Sequence, residues 1–438
     1  MSGHTLDPEG PARLLAQPDL ARVLAALTVA GEETRLVGGC VRDALLGRDS
    51  HDIDLATTLP PDAVIACAAR SMMRAIPTGI EHGTVTLLTD GSAAFEVTTL
   101  REDVETDGRH AVVRFGRDFA RDAERRDFTI NALSLSPDGT LHDTTGGTAD
   151  LALGNVRFIG EARTRIREDA LRILRFFRFH ARYGTGAPDP EGLAACIDAR
   201  DALDRLSRER VRAEFLNLLL APGIVAALTT LSETGLLMRL LGGLGDLGRF
   251  AQFVSFGGEP VPATTPEHQG PSRLPSDCAP TARDIDALDR LAILAVFSEV
   301  DADRLRVGLR LSNGEHAALT AYAKALIALR SRALIDEPEM RRLAATHDRA
   351  SLGLAAGALS GEGMPTWTPA AAIDLRDLIA GAIAPPHFPI TGSDLIARGI
   401  RPGVEIGRRL ATARQLWLAD GCPMDEVARE ALLQHATA

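Results

Sequence analysis

Short β-type alternation fills the first third of the chain and then gives way to helical spacing. Thr34–Val37, Asp52–Leu55, Thr84–Leu88 and Phe95–Thr99 are brief runs rich in β-branched residues and bounded by turn formers, which predicts strands. Val41–Leu46 and Pro61–Arg70 carry helical signals, the second with proline at its start. Beyond about Asp150 the strand signals stop. Apolar positions recur at helical intervals through Arg167–Arg182, Ala202–Leu220, Ile285–Ser298 and Gly314–Leu334. A head of α/β character on an all-helical remainder is the simplest architecture. Phe256–Asp284 interrupts it, rich in Gly, Pro, Ser and Thr without periodicity, and reads as a surface loop or linker. Ala384–Pro389 (APPHFP) cannot continue a helix, so the residues beyond it form a small helical unit of their own.

Composition narrows the class. A length of 438 residues suggests about three domains. Hydrophobic content of 45% and charged content of 24% are those of an ordinary globular protein and exclude wholesale disorder. No run approaches the ~18 apolar residues of a membrane span, and the start (MSGHTLDPEG) shows no secretory signal. The five cysteines (Cys40, Cys67, Cys196, Cys278, Cys422) are scattered and never form a CxxC pair, which argues against a disulfide framework and a zinc knuckle. The expectation is a soluble cytoplasmic protein with no membrane partner and no disulfide.

A net charge of −11 speaks at first against a nucleic-acid partner. The distribution changes that picture. Lys324 is the one lysine, so the positive charge is nearly all arginine, and it is bunched between Arg157 and Arg212. Arginine suits bidentate phosphate contact, although solvated helix faces would give the same pattern.

One stretch joins these signals to chemistry. In Leu36-Val-Gly-Gly-Cys-Val-Arg-Asp43 a strand runs into Gly38-Gly39 and a helix follows. Such a junction lets backbone N–H groups approach a phosphate closely, and Arg42 can add charge to the same triphosphate. Asp52-Ile-Asp54 comes next; on a strand, residues two apart share a face, so Asp52 and Asp54 project together while Ile53 points into the core. Two same-face carboxylates repel unless a cation lies between them, and magnesium bridging nucleotide phosphates removes that cost. Glu96 is the best third carboxylate for a two-metal site, and equally reads as an exposed strand residue.

Arg125-Arg-Asp-Phe-Thr-Ile-Asn-Ala132 offers Arg126, Asp127 and Asn131 to triphosphate and ribose while Phe128 and Ile130 pack. Alone, the triplet is also a surface charge cluster. Finally, Asp169, Arg172, Arg175 and Arg178 fall three apart, which on one helix makes a continuous polar strip beside Leu171, Leu174 and Phe177. As a bare pattern this is an amphipathic helix; behind a phosphate turn and a carboxylate pair it is a candidate nucleotide reader.

Taken in order, LVGGCVRDALLG, HDIDLATTLPPD, PTGIEHGTVTLL, FEVTTLRED, RRDFTINALSL and REDALRILRFFRF resemble the class II CCA-adding tRNA nucleotidyltransferases of bacteria, whose relatives are the bacterial poly(A) polymerases. The resemblance spans roughly residues 35–182 and resumes more weakly in FPITGSDLIARGIRPGVEIGRRL. It implies an α+β fold: a nucleotidyltransferase-type head with a small mixed sheet near 1–150, then a helical neck (151–222), body (223–385) and tail (386–438). It implies template-independent addition of C, C and A to tRNA. Gly39 and Arg42 would contact CTP or ATP, Asp52 and Asp54 would bind Mg2+, and Arg126, Asp169, Arg172, Arg175 and Arg178 would contact the nucleotide. Arg101–Phe115 occupies the place of the mobile segment that in the family helps switch from C to A addition.

Cytosine and adenine share an exocyclic amine donor beside a ring-nitrogen acceptor, a pattern that Asp169 and Arg172 could read together. Aromatic residues make up only 4%, so tRNA should be held by phosphate and shape contacts, with Gly392–Arg409 presenting backbone N–H groups. His51-Asp52, His142-Asp143 and His347-Asp348 lack spaced His and Asp partners, so no phosphohydrolase is expected. Two other readings stay open. One is poly(A) polymerase, which shares the head but typically carries a basic G-[RK]-R-F-type stretch where this chain reads Ile76–Thr86. The other is a catalytically silent RNA-binding protein.

Overall fold

The computed structural model describes residues 3–50, 52–90, 93–106, 111–256, 285–359 and 365–438. The chain divides into two compact units, Met1–Leu206 and Ser207–Ala438, and the boundary falls inside the span expected for the neck. Residues 257–284 of the expected Phe256–Asp284 loop and the tip of the Arg101–Phe115 segment, 107–110, lie outside the described residues, and Phe256 itself ends a helix, Leu247–Phe256.

The first unit opens with helices α1 (Gly10–Leu15) and α2 (Pro18–Leu27). Then come β1 (Thr34–Val37), α3 (Gly39–Leu45), β2 (Ile53–Thr57), α4 (Pro61–Arg70), β3 (Arg74–Gly79), β4 (Thr84–Leu88) and β5 (Ala94–Thr99). A hairpin of β6 (Arg101–Thr106) and β7 (Ala111–Phe115) pairs antiparallel as a separate sheet. After α5 (Phe119–Glu124) and a 3-10 turn at Thr129–Asn131, the two-residue strands β8 (Ser134–Leu135) and β9 (Leu141–His142) complete the main sheet. Its order is β3-β4-β5-β2-β1-β8-β9. Only β2 and β5 run parallel, so the sheet is mixed, as the resemblance implies.

Burial follows the strand period. In β4 and β5, Val85, Leu87, Phe95 and Val97 are buried while Glu96 between them is exposed. Pro61 opens α4, which buries Val64, Cys67 and Ala68 and packs against α2 through the latter's buried Leu20, Val23 and Leu27. Each such aliphatic side chain contributes roughly 1.5–3 kcal/mol. Strand β3 holds Pro77 yet forms, because it lies at the sheet's edge, where a missing N–H costs no ladder bond. A register shift between Ile76 and Gly79 accommodates it.

Helices α6 (Gly147–Leu153), α7 (Ala162–Glu168), α8 (Arg172–Tyr183) and α9 (Pro190–Asp198) finish the unit. The expected single helix over Arg167–Arg182 is therefore two, and Asp169 does not sit on the strip with Arg172, Arg175 and Arg178. Asp169 has an extended backbone (φ −150°, ψ 106°), and its Oδ1 accepts from the Leu171 N–H at 3.0 Å. A short carboxylate that bonds a backbone N–H two residues on competes with helix and marks a start. Phe128 binds the segment before the sheet's last strands to α8, its ring 4.9 Å from Phe158 and 5.3 Å from Phe179.

The second unit is helical, with one departure from the all-helical expectation: Leu334–Ile335 pairs parallel with Thr366–Trp367. Expected helices are trimmed by their caps. Ser207 caps Arg208–Leu219, detaching it from a 3-10 stretch at Arg200–Arg205. Asp286 and Asp289 box the start of Ala287–Ala295, and Ser312 and Glu315 that of Asn313–Arg330. After the APPHFP break, Gly392–Ala397, Val404–Ala419 and Glu426–Thr437 enclose a core of Leu395, Ala413, Trp417, Leu432 and Leu433. Trp417 donates to the Pro423 carbonyl at 2.9 Å, satisfying its one polar atom. Among the described residues no helix is long and apolar enough to cross a membrane.

Candidate active site

The site forms where β1 ends and β2 and β5 begin. Strand β1 terminates at Gly38, whose backbone (φ 74°, ψ −122°) is a conformation L side chains rarely adopt. A Cβ there would also stand 2.8 Å from Arg126 Nη1. Glycine is thus required for the turn, and it also leaves room for the guanidinium lying over it. Gly38 N–H donates to the Leu133 carbonyl at 2.9 Å, tying the turn to the segment that carries Arg126. Helix α3 starts directly at Gly39, two residues earlier than expected, so its first N–H groups have no intrahelical partner.

Asp54 lies in β2 directly opposite Glu96 in the parallel neighbour β5, on the face opposite to Ile53 and Phe95. Asp52, just ahead of β2, is also exposed. Asp54 feels both of the other carboxylates. Crowding by the surrounding protein raises the Asp54 pKa above the ordinary carboxylate value; Glu96 and Asp52 add to the rise and Arg126 opposes it. The structure therefore brings Asp52, Asp54, Glu96, Gly38 and Arg126 into one electrostatic neighbourhood.

Among the described residues no three His, Cys, Asp or Glu side chains are grouped so as to hold a metal by themselves. A hard divalent cation that keeps waters and takes one or two carboxylates plus substrate phosphates suits such an open acidic face. Cys40, buried behind the turn, is no nucleophile: burial pushes its thiol up to about 11. It, Cys67, Cys196 and Cys422 are all free and buried.

The Arg-Arg-Asp segment is not a surface cluster. Arg126 Nη2 and Nε both bond Asp122 Oδ2, at 3.0 and 3.2 Å, and Arg125 grips the other oxygen. Burial alone would raise Asp122, yet Arg126 and Arg125 outweigh it and hold the carboxyl below its usual range. Asp127, 6% exposed, accepts from Asn131 Nδ2 at 3.0 Å and from Arg175 Nε at 2.7 Å.

Arg42 turns inward as well, at 6% exposed. Its Nη1 donates to Asn131 Oδ1, its Nη2 to the Tyr183 hydroxyl at 2.6 Å, and its Nε to Asp43 at 3.0 Å. Placed so, Arg42 braces the turn from behind. Arg172 Nη1 bonds the Arg165 carbonyl at 2.9 Å and the Glu168 carboxylate, and Arg178 lies 4.5 Å over the Phe179 ring. Sequence reading missed Asp122, Asp43 and Tyr183. Asp122 carried a signal, lying in the last turn of a helix three and four residues before Arg125 and Arg126; Tyr183 carried none.

Known proteins share sequence and fold with this chain. Residues 34–157 match the family profile described as "Poly A polymerase head domain", and residues 187–245 match "Probable RNA and SrmB- binding site of polymerase A". The chain is 44% identical over 207 residues to the mitochondrial CCA tRNA nucleotidyltransferase 1 of Danio rerio, a match covering 47% of this chain and 48% of that protein. It thus spans about half the length of that relative. With the CCA-adding enzyme of Limosilactobacillus fermentum the match is 32% over 403 residues, 89% of this chain and 90% of the relative. The fold is that of the Bacillus stearothermophilus CCA-adding enzyme in complex with CTP, with TM-score 0.67 at 24% identity, over 95% of this chain and 97% of that one. On its near full-length likeness to the Limosilactobacillus protein, the chain belongs to the CCA-adding enzyme family of nucleotidyltransferases.

Proposed function

We propose that this enzyme adds C, C and A to the 3′ end of tRNA from CTP and ATP, in the cytoplasm and without a nucleic-acid template. The observation that carries the reading is the convergence of Asp52, Asp54 and Glu96 beside the Gly38 turn and Arg126. The 3′-hydroxyl oxygen bonds the α-phosphorus and gives up its proton to solvent, the bond to the bridging oxygen breaks, and pyrophosphate leaves with the electron pair. Catalysis of this kind is positioning plus charge neutralisation. Asp52 and Asp54, with Glu96 beside them, would hold Mg2+, which when bound supplies charge neutralisation at the reacting phosphate.

Each remaining residue has a task on this reading. Gly38 and Gly39 open the turn so that backbone can approach the triphosphate. Arg126, held in place by Asp122, faces both the turn and Asp54 and offsets phosphate charge there. Asp127 and Asn131 fix the segment and carry the ribose side, with Arg175 and Arg178 on the nucleotide side of α8. Asp169 and Arg172 present an acceptor and a donor to the edge that cytosine and adenine share, Asp169 from the turn before α8 and Arg172 from the helix's first residue. Head, neck, body and tail keep the spans 1–150, 151–222, 223–385 and 386–438, the tail gripping tRNA. The relatives named CCA-adding enzymes do not favour the poly(A) reading, and the intact carboxylate cluster speaks against a silent RNA binder.

The test is a gel assay on tRNA lacking its 3′ terminus, with each nucleotide supplied singly and then together. CTP should extend it by two, CTP with ATP by three, and extension should then stop. Long tails from ATP alone on unstructured RNA would replace this reading with poly(A) synthesis.

A further inference from the structure

The Arg42 guanidinium joins three elements: α3 through Asp43, the 3-10 turn through Asn131, and α8 through Tyr183. We infer that Tyr183 is a positioning residue for nucleotidyl transfer, clasping the last residue of the arginine-bearing helix to the phosphate turn through Arg42. The inference rests on the function proposed above. Tyr183 is 3% exposed. Its hydroxyl accepts from Arg42 Nη2 at 2.6 Å and donates to Asp43 Oδ1 at 3.0 Å, while Arg42 also bonds Asp43, so the three close a ring. The Arg42 guanidinium stacks 4.0 Å from the centre of the Tyr183 ring. Packing alone does not call for the hydroxyl, since phenylalanine would fill the same space and already stacks one turn earlier as Phe179.

The contacts continue beyond the ring. Arg42 bonds Asn131, Asn131 bonds Asp127, and Asp127 bonds Arg175. Arg175 and Tyr183 both belong to α8, about 12 Å apart along its axis. The helix therefore grips the turn at two points, and a rotation of one must move the other. Removing the Tyr183 hydroxyl leaves the ring stack and the bonds to Asp43 and Asn131 in place but takes away the hydrogen bond that fixes the Arg42 guanidinium to α8. The turn it braces then samples geometries in which the triphosphate is bound but misaligned.

The experiment uses the full chain, wild type beside Tyr183→Phe, Asn131→Ala and the double variant, on tRNA lacking its CCA. Tyr183→Phe should lower kcat about tenfold for both CTP and ATP, the scale expected when a charged group loses a buried partner. KM should stay within about twofold and Tm within a few degrees, because the ring and its packing remain. The double variant should be about as slow as the slower single one, since each substitution removes a hydrogen bond to the same Arg42 guanidinium. A kcat within twofold of wild type, a rise in KM matching the fall in kcat, multiplied effects in the double variant, or a large loss of Tm would each overturn the inference. A wild-type protein that incorporates neither nucleotide would instead bring down the proposed function, and the inference with it.

Discussion

The carboxylates at the starts of β2 and β5 and the ion-pair knot behind the Gly38 turn share one compact unit and are built in opposite ways. Asp52, Asp54 and Glu96 set like charges side by side on an exposed face, and Asp54 is held above its ordinary pKa. In the knot, Asp122 and Asp127 are almost wholly buried, yet arginines and an asparagine engage them, and Asp122 is held below its ordinary pKa. Carboxylates appear in both, and the partners differ. Where the chain supplies the counter-charge, the carboxylate builds the scaffold. Where the chain withholds it, the missing charge has to come from what binds.

Breaking the exposed cluster should have the largest effect. Asp52→Ala or Asp54→Ala should lower turnover with both CTP and ATP by about a hundredfold or more, while tRNA affinity in a filter-binding titration stays within about twofold. Appreciable turnover in both variants would erase the contrast, leaving these carboxylates as ordinary surface residues.

Breaking the knot should show first as stability. Asp122→Ala strands Arg125 and Arg126 and should cost about 3 kcal/mol in urea unfolding. The pH dependence has a definite sign. A carboxyl whose folded pKa is depressed contributes stability that is fully present above its unfolded value, about 3.9, and is lost as pH falls through the folded value. The wild-type acid limb should therefore be steeper than that of Asp122→Ala. Equal slopes would mean that the pair does not stabilise the native state.

The contrast was only half visible in the sequence. Strands β1, β2, β4 and β5 and helix α4 were legible because β-branched runs and an N-terminal proline act locally. Pro77 hid β3, since its tolerance depends on an edge position that only the assembled sheet defines. Apolar spacing ran on through Asp169 and concealed the break that its carboxylate makes with the Leu171 N–H. Asp52 and Asp54 could be paired by strand period, but Glu96 joins them only through the parallel register of β2 and β5, a non-local pairing. The inward turn of Arg42 was hidden for the same reason. Its partners Asn131 and Tyr183 are 89 and 141 residues away in sequence.

The uncompensated charge of the carboxylate cluster is tested most directly by the thermal midpoint of Asp54→Asn against wild type, with and without Mg2+. A raised folded pKa means that stability falls as pH rises through the interval between the unfolded and folded values, so above that interval the ionised carboxyl destabilises the fold. In metal-free buffer at neutral pH, Asp54→Asn should therefore melt higher than wild type although it is inactive. Mg2+ should raise the wild-type midpoint toward it while leaving the variant nearly unmoved. A variant that melts lower than wild type without metal, or a wild type indifferent to Mg2+, would contradict the account.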